Sequence, residues 1–551
     1  MSAGLKATLL APWIAIFLAL LFYVVGLGSD HLATNGDELV YAQMTKLTAA
    51  SGHFLPLQTG DKSLRNTKPP LLFWQGILST GWGRDWALSR LRAPSVLYTF
   101  LIGGLLVLLG TRRLRSLPLG LSAAALFLCF FSTYRYGRVY LTSAPETFFL
   151  FAPLALLLLH SEEGLPRGGL QPLLLGLMVG LALLYKSFAL VIPFVATIAL
   201  WDLRGRKWQW RPFLIEDVWK LAVVGVVAML TFGLWFFLDP HPWQVFTDFV
   251  LRENVGKLNN GDESYILNLL WGTSSFWRIL VSYPLNAGLL APPVIALAAD
   301  AWMRRKQLDP LEILLWTWVL VLAAFFCIPN QRDERYLIPA MPALAFLLAM
   351  RLDHLPRWTI LISLAASAAI TAGLIGLGLL LQHDAADGIL YPWWALLVPF
   401  AGLLVCLKAF ACPSLSRALL APAILLAYLS YAAFLIPLDR GRGLFNAEAI
   451  HSVAGREVFV PSNFNAREES YGFLLPGAQV KPYKYGKRPP DKPFVVVSLP
   501  LDQAPPAGIL LGKRLNMIDR FKNAQLLDML AGNLSHHMFH WDWLVQRNPT
   551  Q

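Results

Sequence analysis

The chain has 551 residues, of which 56% are hydrophobic and only 15% are charged, and its mean hydropathy is +0.51. A soluble globular protein is roughly 45–50% apolar and about 25% charged, so this composition excludes an ordinary soluble domain. The net charge of +12 would suit a nucleic-acid-binding protein. The basic residues are scattered among hydrophobic segments, however, and we predict no nucleic-acid partner. Four cysteines do not make a disulfide framework.

Apolar segments of roughly 18–22 residues recur along the chain, and a helix of this length crosses a hydrocarbon core of about 30 Å. We predict about thirteen such spans and therefore an all-α polytopic membrane protein. The predicted spans are 9–28, 93–111, 117–133, 143–160, 170–184, 188–202, 218–237, 284–303, 311–328, 336–351, 358–381, 393–411 and 415–437. The first apolar run is too long for a signal peptide and has no small-residue cleavage site, so we predict a retained helix.

The short loops alternate in charge. Loops on one side carry most of the Lys and Arg residues, from Lys6 to Arg417, whereas short loops on the other side carry only Arg135, Arg138, Lys186, Arg332 and Arg335. The positive-inside rule then places the N-terminus in the cytoplasm, and an odd number of spans places the C-terminus outside.

Three polar regions lie outside on this topology. The loops 29–92 and 238–283 belong to a transmembrane domain over 1–438, and aromatic residues in the second loop suit helices at the membrane surface. The tail 439–551 alternates short strand-like runs (Glu457 to Val460, Phe494 to Leu499, Ile509 to Leu511) with turns, and ends in an amphipathic helix near 522–534. It predicts a small α/β extracytoplasmic domain.

Two polar motifs stand in the first outer loop. Asp37 and Glu38 follow a glycine at the start of a predicted helix, where one carboxylate can face a reacting group. Acids at a helix N-terminus also favour the helix dipole, which gives a purely structural alternative. Lys68 precedes Pro69 and Pro70, which hold it in extended geometry before an aromatic-rich helix. The alternative is a plain turn whose lysine reaches the lipid headgroups.

Ionisable residues also stand at the outer ends of later spans, where they are costly and usually functional. Glu146 lies near the outer end of the fourth span, and pairing with Arg138 would give it a structural role instead. Lys186 occupies the tight link between the fifth and sixth spans, and Arg335 precedes Tyr336 before another span. These cations break the positive-inside bias, and a lipid phosphate is their natural ligand. Ordinary headgroup contact is the alternative.

Four motifs in this order resemble the GT-C membrane glycosyltransferases, most closely the branch of lipid A aminoarabinose transferases and protein O-mannosyltransferases. They are GDELVYAQ at 36–43, KPPLLFWQ at 68–75, LYKS at 184–187 and RYLIPAMPALAFLLA at 335–349. The resemblance implies transfer of a sugar, such as 4-amino-4-deoxy-L-arabinose, from an undecaprenyl-phosphate carrier to an acceptor such as lipid A, with inversion. It also implies a bacterial inner-membrane protein whose active site faces the periplasm.

The resemblance further implies roles for individual residues. Asp37 is the catalytic carboxylate, and Glu146 stands in for an aspartate that many relatives place where this chain has Ser143. The implied donor-phosphate set is Lys68, Tyr41, Lys186, Arg335 and Tyr336, and Glu38 and Arg138 are secondary candidates.

Departures from the family pattern leave the sugar and the acceptor open. The aminoarabinose branch has Arg where this chain has Val40, and an acid where it has Thr67. Lipid A, a protein or another glycan all remain candidate acceptors, so an O-mannosyltransferase-like enzyme is the nearest alternative. A ligase that joins whole lipid-linked glycans is also close in mechanism. A secondary transporter predicts inverted repeats and paired broken helices, which we do not find in the sequence, and a scaffolding protein would not need charged residues gathered on one face.

No metal-ligand spacing is evident in the outer loops. His241, together with His31 and His53, is a weak candidate for a metal ligand. The tail also contains a cluster of His536, His537 and His540, which we interpret as surface residues rather than ligands. We predict no obligatory cofactor and leave a divalent ion open.

Overall fold

The computed structural model describes residues 3–29, 36–60, 66–161, 170–258, 265–272, 274–383, 391–439, 443–462, 468–517, 523–531 and 534–547. The first part of the chain, to Asp439, is built from helices. They are α1 (Ala3–Val24), α2 (Gly36–Ala50), α3 (Leu71–Ser79), α4 (Leu88–Arg113), α5 (Leu117–Cys129), α6 (Phe131–Tyr136), α7 (Ser143–His160), α8 (Gln171–Leu183), α9 (Val191–Gly205), α10 (Trp210–Glu216), α11 (Val218–Leu238), α12 (Pro242–Val245), α13 (Tyr265–Trp271), α14 (Phe276–Ala287), α15 (Ala291–Met303), α16 (Pro310–Cys327), α17 (Met341–Arg351), α18 (Arg357–His383), α19 (Leu397–Ala411) and α20 (Leu420–Asp439).

Tighter or wider helical turns join several of these helices. A π-helical segment, Phe246–Asn254, follows α12. The 3-10 helices are Phe188–Leu190, Val255–Leu258, Gly288–Leu290, Glu334–Ala340, Leu352–His354 and Trp393–Leu396.

Every span predicted from the sequence coincides with an apolar helix. Within the described ranges, 10 helical segments are long and apolar enough to cross a membrane, and three shorter apolar helices, Leu10–Val24, Leu117–Cys129 and Gln171–Leu183, cover the remaining predicted spans. A helix pairs its backbone groups internally, which is why long apolar segments adopt it in lipid. The helical, polytopic class is therefore confirmed, whereas the exact number of spans and their orientation stay predictions.

Small residues let neighbouring helices approach closely. A Cβ atom built on Gly110 in α4 would lie 2.4 Å from Cα of Gly120 in α5, and one built on Gly120 would lie 2.7 Å from the carbonyl oxygen of Val107. Close packing of this kind drives helix association in lipid, because burial of apolar surface gains little there. These contacts fix the C-terminal part of α4 against α5.

The tail forms a separate sheet with its own core. Its elements are α21 (Ala447–Ser452), β1 (Glu457–Ser462), α22 (Glu468–Leu474), β2 (Gln479–Lys484), β3 (Phe494–Pro500), β4 (Ile509–Met517), α23 (Asn523–Leu530), α24 (Leu534–Met538) and β5 (Phe539–Gln546). The strand order is β2-β1-β3-β5-β4, with β1 parallel to β2 and β3, and β5 antiparallel to β3 and β4. This confirms a small α/β domain after the last span.

The three predicted strands of the tail are confirmed, and α23 occupies the predicted helix near 522–534. The tail does not end with that helix, however, and the strands β2 and β5 were not predicted. The chain continues after α24 into β5, which lies between β3 and β4. The strand begins with alternating apolar and polar residues, but its polar Asp542 is buried because Arg514 of β4 pairs with it. The buried ion pair between Arg514 and Asp542, at 2.9 Å, fixes β4 to β5.

Candidate active site

The first turn of α2 separates its two acids. Asp37 is about half exposed, whereas the Glu38 side chain is buried. Negative side chains at a helix N-terminus are favourable, and both benefit from this. Their different directions give them different partners.

Glu38 is bound by Arg92, near the start of α4. Oε1 of Glu38 accepts from Nε of Arg92 at 2.6 Å and from the backbone N–H of Tyr140 at 2.8 Å, and Oε2 accepts from Nη2 of Arg92 at 2.8 Å. Arg92 also donates to the carbonyl oxygen of Leu27 after α1. This buried bridge ties α1, α2 and α4 together and turns Glu38 away from the site, so its role is structural.

Asp37 faces Arg335. Oδ2 of Asp37 lies 3.5 Å from Nη1 of Arg335, the second residue of the 3-10 helix before α17. Asp333 caps that helix, and its Oδ1 accepts from the backbone N–H of Arg335 at 2.9 Å and from its Nε at 3.3 Å. The guanidinium of Arg335 therefore lies between two carboxylates, and Asp37 is one of them.

Tyr41 lies one turn along α2 from Asp37, as a helical spacing of four requires. It packs beside Tyr136 and Ile338, the second of which belongs to the same 3-10 helix as Arg335. Burial raises the pKa of the Tyr136 phenol, although Arg135 and Arg335 act to lower it. The hydroxyl of Tyr136 is therefore neutral near pH 7.

Glu146 pairs with Lys186. Glu146 is in the first turn of α7 and nearly fully buried, and its Oε2 lies 3.4 Å from Nζ of Lys186. The same ammonium lies 5.8 Å from the ring centroid of Tyr336. Lys186 thus joins Glu146 to the residue beside Arg335, and the structural alternative of a Glu146–Arg138 pair is not what the fold contains.

Lys68 meets a residue that the sequence did not single out. Its Nζ lies 3.0 Å from Oε1 of Glu253, near the end of the π-helical segment. Asn66 donates to Asp248 on the same segment at 3.3 Å, and Ser187 donates to Asn254 at 2.9 Å. The π-helical segment therefore contacts both the Lys-Pro-Pro motif and the link that carries Lys186.

The local sequence gave little indication that Asp248, Glu253 and Asn254 would lie at the site. They are polar positions in an aromatic-rich stretch that we assigned to the membrane surface. π-helical turns are frequent at functional sites, but nothing in the local residue pattern predicts one. Their pairing with Asn66, Lys68 and Ser187 depends on contacts between residues far apart in the chain.

Two other candidates, Arg138 and His241, do not contact these cations or their carboxylates. Arg138 is buried, and its guanidinium donates to the carbonyl oxygens of Phe22 at 2.9 Å and Val25 at 2.7 Å, where α1 ends. Burial and the nearby charge of Arg92 lower the pKa of Arg138 to about 10. Its role is to cap α1, since these carbonyls lack partners within the helix.

The weak metal candidate, His241, is exposed, and its backbone N–H bonds to Asp239 at 2.9 Å. His53 is also exposed, and His31 falls outside the described residues. Among the residues that the structure describes, no group of three or more His, Cys, Asp or Glu side chains has a metal-binding arrangement.

An apolar groove of about 950 Å³ is lined in part by residues close in sequence to two of the cations. Its lining includes Leu71, Trp74, Leu78, Tyr98, Tyr185 and Leu238. Leu71 follows Lys68 by three residues, and Tyr185 immediately precedes Lys186. The hydroxyl of Tyr185 donates to Gln75 at 2.7 Å inside the groove.

The site therefore presents three cations, each with a carboxylate beside it. Lys68 pairs with Glu253, Lys186 with Glu146, and Arg335 with Asp37 and Asp333. Lys and Arg side chains bind phosphate through charge-assisted hydrogen bonds, and a phosphate would compete with these carboxylates. Asp37 stays partly exposed beside Arg335.

No family model matches the chain. Comparison with solved structures finds ArnT from Cupriavidus metallidurans bound to undecaprenyl phosphate, with a TM-score of 0.59, 17% identity, and 86% of both chains covered. This chain has the fold of ArnT. The agreement extends over most of both chains and includes the helical class predicted from the sequence.

Curated relatives agree with this fold. The chain is 25% identical over 359 residues to undecaprenyl phosphate-alpha-4-amino-4-deoxy-L-arabinose arabinosyl transferase 1 of Sodalis glossinidius, a match to 61% of this chain and 57% of that protein. It is 26% identical over 357 residues to the corresponding transferase of Edwardsiella ictaluri, covering 62% of this chain and 59% of that protein. The matches span somewhat more than half the length of these relatives. The resemblance to the aminoarabinose branch of the GT-C glycosyltransferases is confirmed, and the apolar helices together with these relatives indicate a multi-pass protein of the bacterial inner membrane.

Proposed function

We propose that this chain is a glycosyltransferase that moves a sugar from an undecaprenyl-phosphate carrier to an acceptor at the periplasmic face of the membrane. The observation that supports this most directly is the pairing of Asp37 with Arg335 next to Lys186 and Lys68. The named activity of the matched relatives gives the donor class. The transmembrane part is proposed to span 1–438 and the periplasmic domain 439–551.

The cations are proposed to hold the phosphate of the donor. When the bond between the anomeric carbon and the phosphate oxygen breaks, negative charge grows on the departing undecaprenyl phosphate. Lys68, Lys186 and Arg335 stabilise that charge, and removing one such group typically costs about 10²–10³ in rate. The apolar groove, lined in part by residues close in sequence to Lys68 and Lys186, is suited to part of the polyprenyl chain.

Asp37 is proposed to orient the acceptor oxygen opposite the leaving phosphate, which gives inversion at the anomeric carbon. A hydroxyl acceptor would transfer its proton to Asp37 as general base. A phosphate acceptor, as on lipid A, is already anionic, and orientation then matters more than proton removal. Glu146 is proposed to act through Lys186, whose ammonium it positions.

Purified protein in lipid nanodiscs, given undecaprenyl-phosphate aminoarabinose and lipid A, tests the proposal through the mass of the product. A peptide acceptor offered in parallel tests the O-mannosyltransferase-like alternative. We expect Asp37→Asn to lower kcat at least about 100-fold.

The matched control is Asp85→Asn, another outer-loop carboxylate, which is exposed and pairs with Arg90 at 3.3 Å. It should transfer sugar as the wild type does. Undiminished transfer by Asp37→Asn would refute the site, and absence of transfer by the wild type to every acceptor would refute the function.

A further inference from the structure

The C-terminal domain touches the helix that carries Asp37. Its helix α22 packs on α2, and Phe473 from α22 is nearly fully buried there. Phe473 belongs to an apolar cluster with Ala42 and Leu72, and Leu39 packs against the same cluster. Leu39 is two residues from Asp37, so the contact reaches the first turns of α2.

Two polar residues of α2 complete the contact. Nζ of Lys46 lies 5.5 Å from the ring centroid of Phe473 and 6.0 Å from that of Trp86. Burial lowers the pKa of Lys46, and the two ring faces offset part of that desolvation cost. Gln43 packs on Gly472 so closely that a Cβ there would lie 2.9 Å from Nε2 of Gln43.

These contacts fall on one face of α2. Leu39, Gln43 and Lys46 are spaced by four and three residues, which places them on a single stripe of a helix. Glu38, on a second face, is held by Arg92. Tyr41 follows Asp37 by four residues and packs against the cluster that contains Ile338, from the 3-10 helix that carries Arg335. The rotation of α2 about its axis is therefore fixed from three sides, and the C-terminal domain supplies one of them.

We infer that Phe473 is a positioning residue: the C-terminal domain stays docked on α2 and holds Asp37 towards Arg335. The inference rests on the proposed function and goes beyond it, because it gives the domain a role in the reaction without contact with either substrate. It differs from a lid, which would have to leave α2 during turnover, and from a domain that only adds stability.

The first experiment compares two buried phenylalanines of the domain. Phe473 is buried against α2, and Phe494 is buried in the domain's own core. We expect Phe473→Ala to lower kcat about tenfold or more, since misplacement by 1 Å can cost about 100-fold. The dissociation constant for undecaprenyl phosphate should change less than about twofold, because the cations lie on other elements.

The second substitution, Phe494→Ala, should lower the unfolding temperature but leave kcat near the wild-type value. Phe473→Leu keeps an apolar side chain in the cluster and should restore most of kcat. Equal losses of kcat in the two alanine variants, or an unchanged kcat in Phe473→Ala, would overturn the inference.

A crosslink separates a docked domain from a lid. Gln43→Cys with Gly472→Cys joins α2 to α22, and the mobility of the oxidised protein on a non-reducing gel reports the bond without any activity measurement. We expect the bond to form and the oxidised protein to keep wild-type kcat. Loss of activity that returns on reduction would show that the domain must move away, and failure to form the bond would contradict the contact itself. If the wild type transfers no sugar while the crosslink forms, the proposed function fails and the docking contact stands.

Discussion

Glu38→Gln is expected to destabilise the protein although it keeps the shape of the side chain. Both Glu38 and Arg92 are 1% exposed. The carboxylate accepts three hydrogen bonds, two of them from the guanidinium. An amide turns one N–H group towards Arg92 or Tyr140 and leaves the guanidinium without its counter-charge. Breaking a buried ion pair in this way costs about 3–5 kcal/mol.

The expected shift in the unfolding temperature follows from the size of the chain. An unfolding entropy of about 2.1 cal/mol/K per residue gives about 1.2 kcal/mol/K for a chain of this length. A loss of about 3–5 kcal/mol then lowers the midpoint by about 3–4 °C. Tryptophan fluorescence during heating measures it, in one detergent and at one scan rate because large proteins often unfold irreversibly.

Asp85→Asn provides the matched control. The Asp85–Arg90 pair is 3.3 Å apart with both side chains more than half exposed, and exposed pairs contribute about 0–1 kcal/mol. Its midpoint should fall by less than about 1 °C. A double variant, Glu38→Leu with Arg92→Leu, should recover part of the loss, because no buried charge then lacks a partner. Equal shifts in Glu38→Gln and Asp85→Asn would refute the reasoning.

Three further predictions concern packing, donor binding and pH. Gly110→Ala should destabilise the protein by about 1–3 kcal/mol, because the added Cβ would clash with the backbone of Gly120. A Cβ on Gly104, in the same helix, has nothing within 4 Å, so Gly104→Ala should be neutral or stabilising. Equal unfolding midpoints for the two variants would contradict the close approach of the helices. Glu253→Gln should strengthen binding of undecaprenyl phosphate by up to about fivefold, since it removes the carboxylate that competes for Lys68. The pair is partly exposed, and ion pairs at the surface are worth about 0.2–1 kcal/mol. Weaker binding, measured with a fluorescent donor analogue, would show that Glu253 helps to hold the donor instead. Burial lowers the pKa of His540 in the folded protein, although Asp542 and Asp502 oppose this. As the pH falls through about 6.5, the imidazole is therefore protonated in the unfolded chain but stays neutral in the folded protein. The free energy of unfolding that His540 contributes above that pH is lost as the pH falls to the pKa of the folded protein. His540→Gln should therefore make the unfolding midpoint less sensitive to pH between about 7.5 and 5. Identical pH profiles for the variant and the wild type would contradict this prediction.

Local sequence was sufficient for the apolar helices and for three of the five strands of the tail. Segments such as 218–237 and 358–381 are apolar over the whole length of a membrane crossing, and α11 and α18 occupy them. In lipid an apolar segment must satisfy its own backbone hydrogen bonds, so length and hydropathy decide the structure with little help from tertiary contacts. The strand β3 was predicted for a related reason, because a run of buried β-branched residues favours a strand.

The candidate site was predicted in part. Short motifs with charged residues at the outer ends of spans identified Asp37, Lys68, Glu146, Lys186 and Arg335, since charge is costly at those positions and tends to be kept for function. The same argument also selected Glu38 and Arg138, which the fold uses to tie helices together. The free-energy cost of a charge near the bilayer therefore indicates that the residue is needed. It does not distinguish a catalytic role from a structural one.

The partners were decided only by the tertiary structure. Lys68 contacts Glu253 across a sequence separation of 185, and Phe473 contacts α2 from a domain that follows the last span. Such contacts depend on how helices pack and how loops return, and neither leaves a periodic pattern in the sequence. By itself the sequence determined a membrane protein with charged motifs at one surface, because hydropathy and charge act locally. The packed structure was needed to show which carboxylate faces which cation and which helix packs on α2 near Asp37. Electrostatic pairing depends on distance in space, which the order of residues does not give.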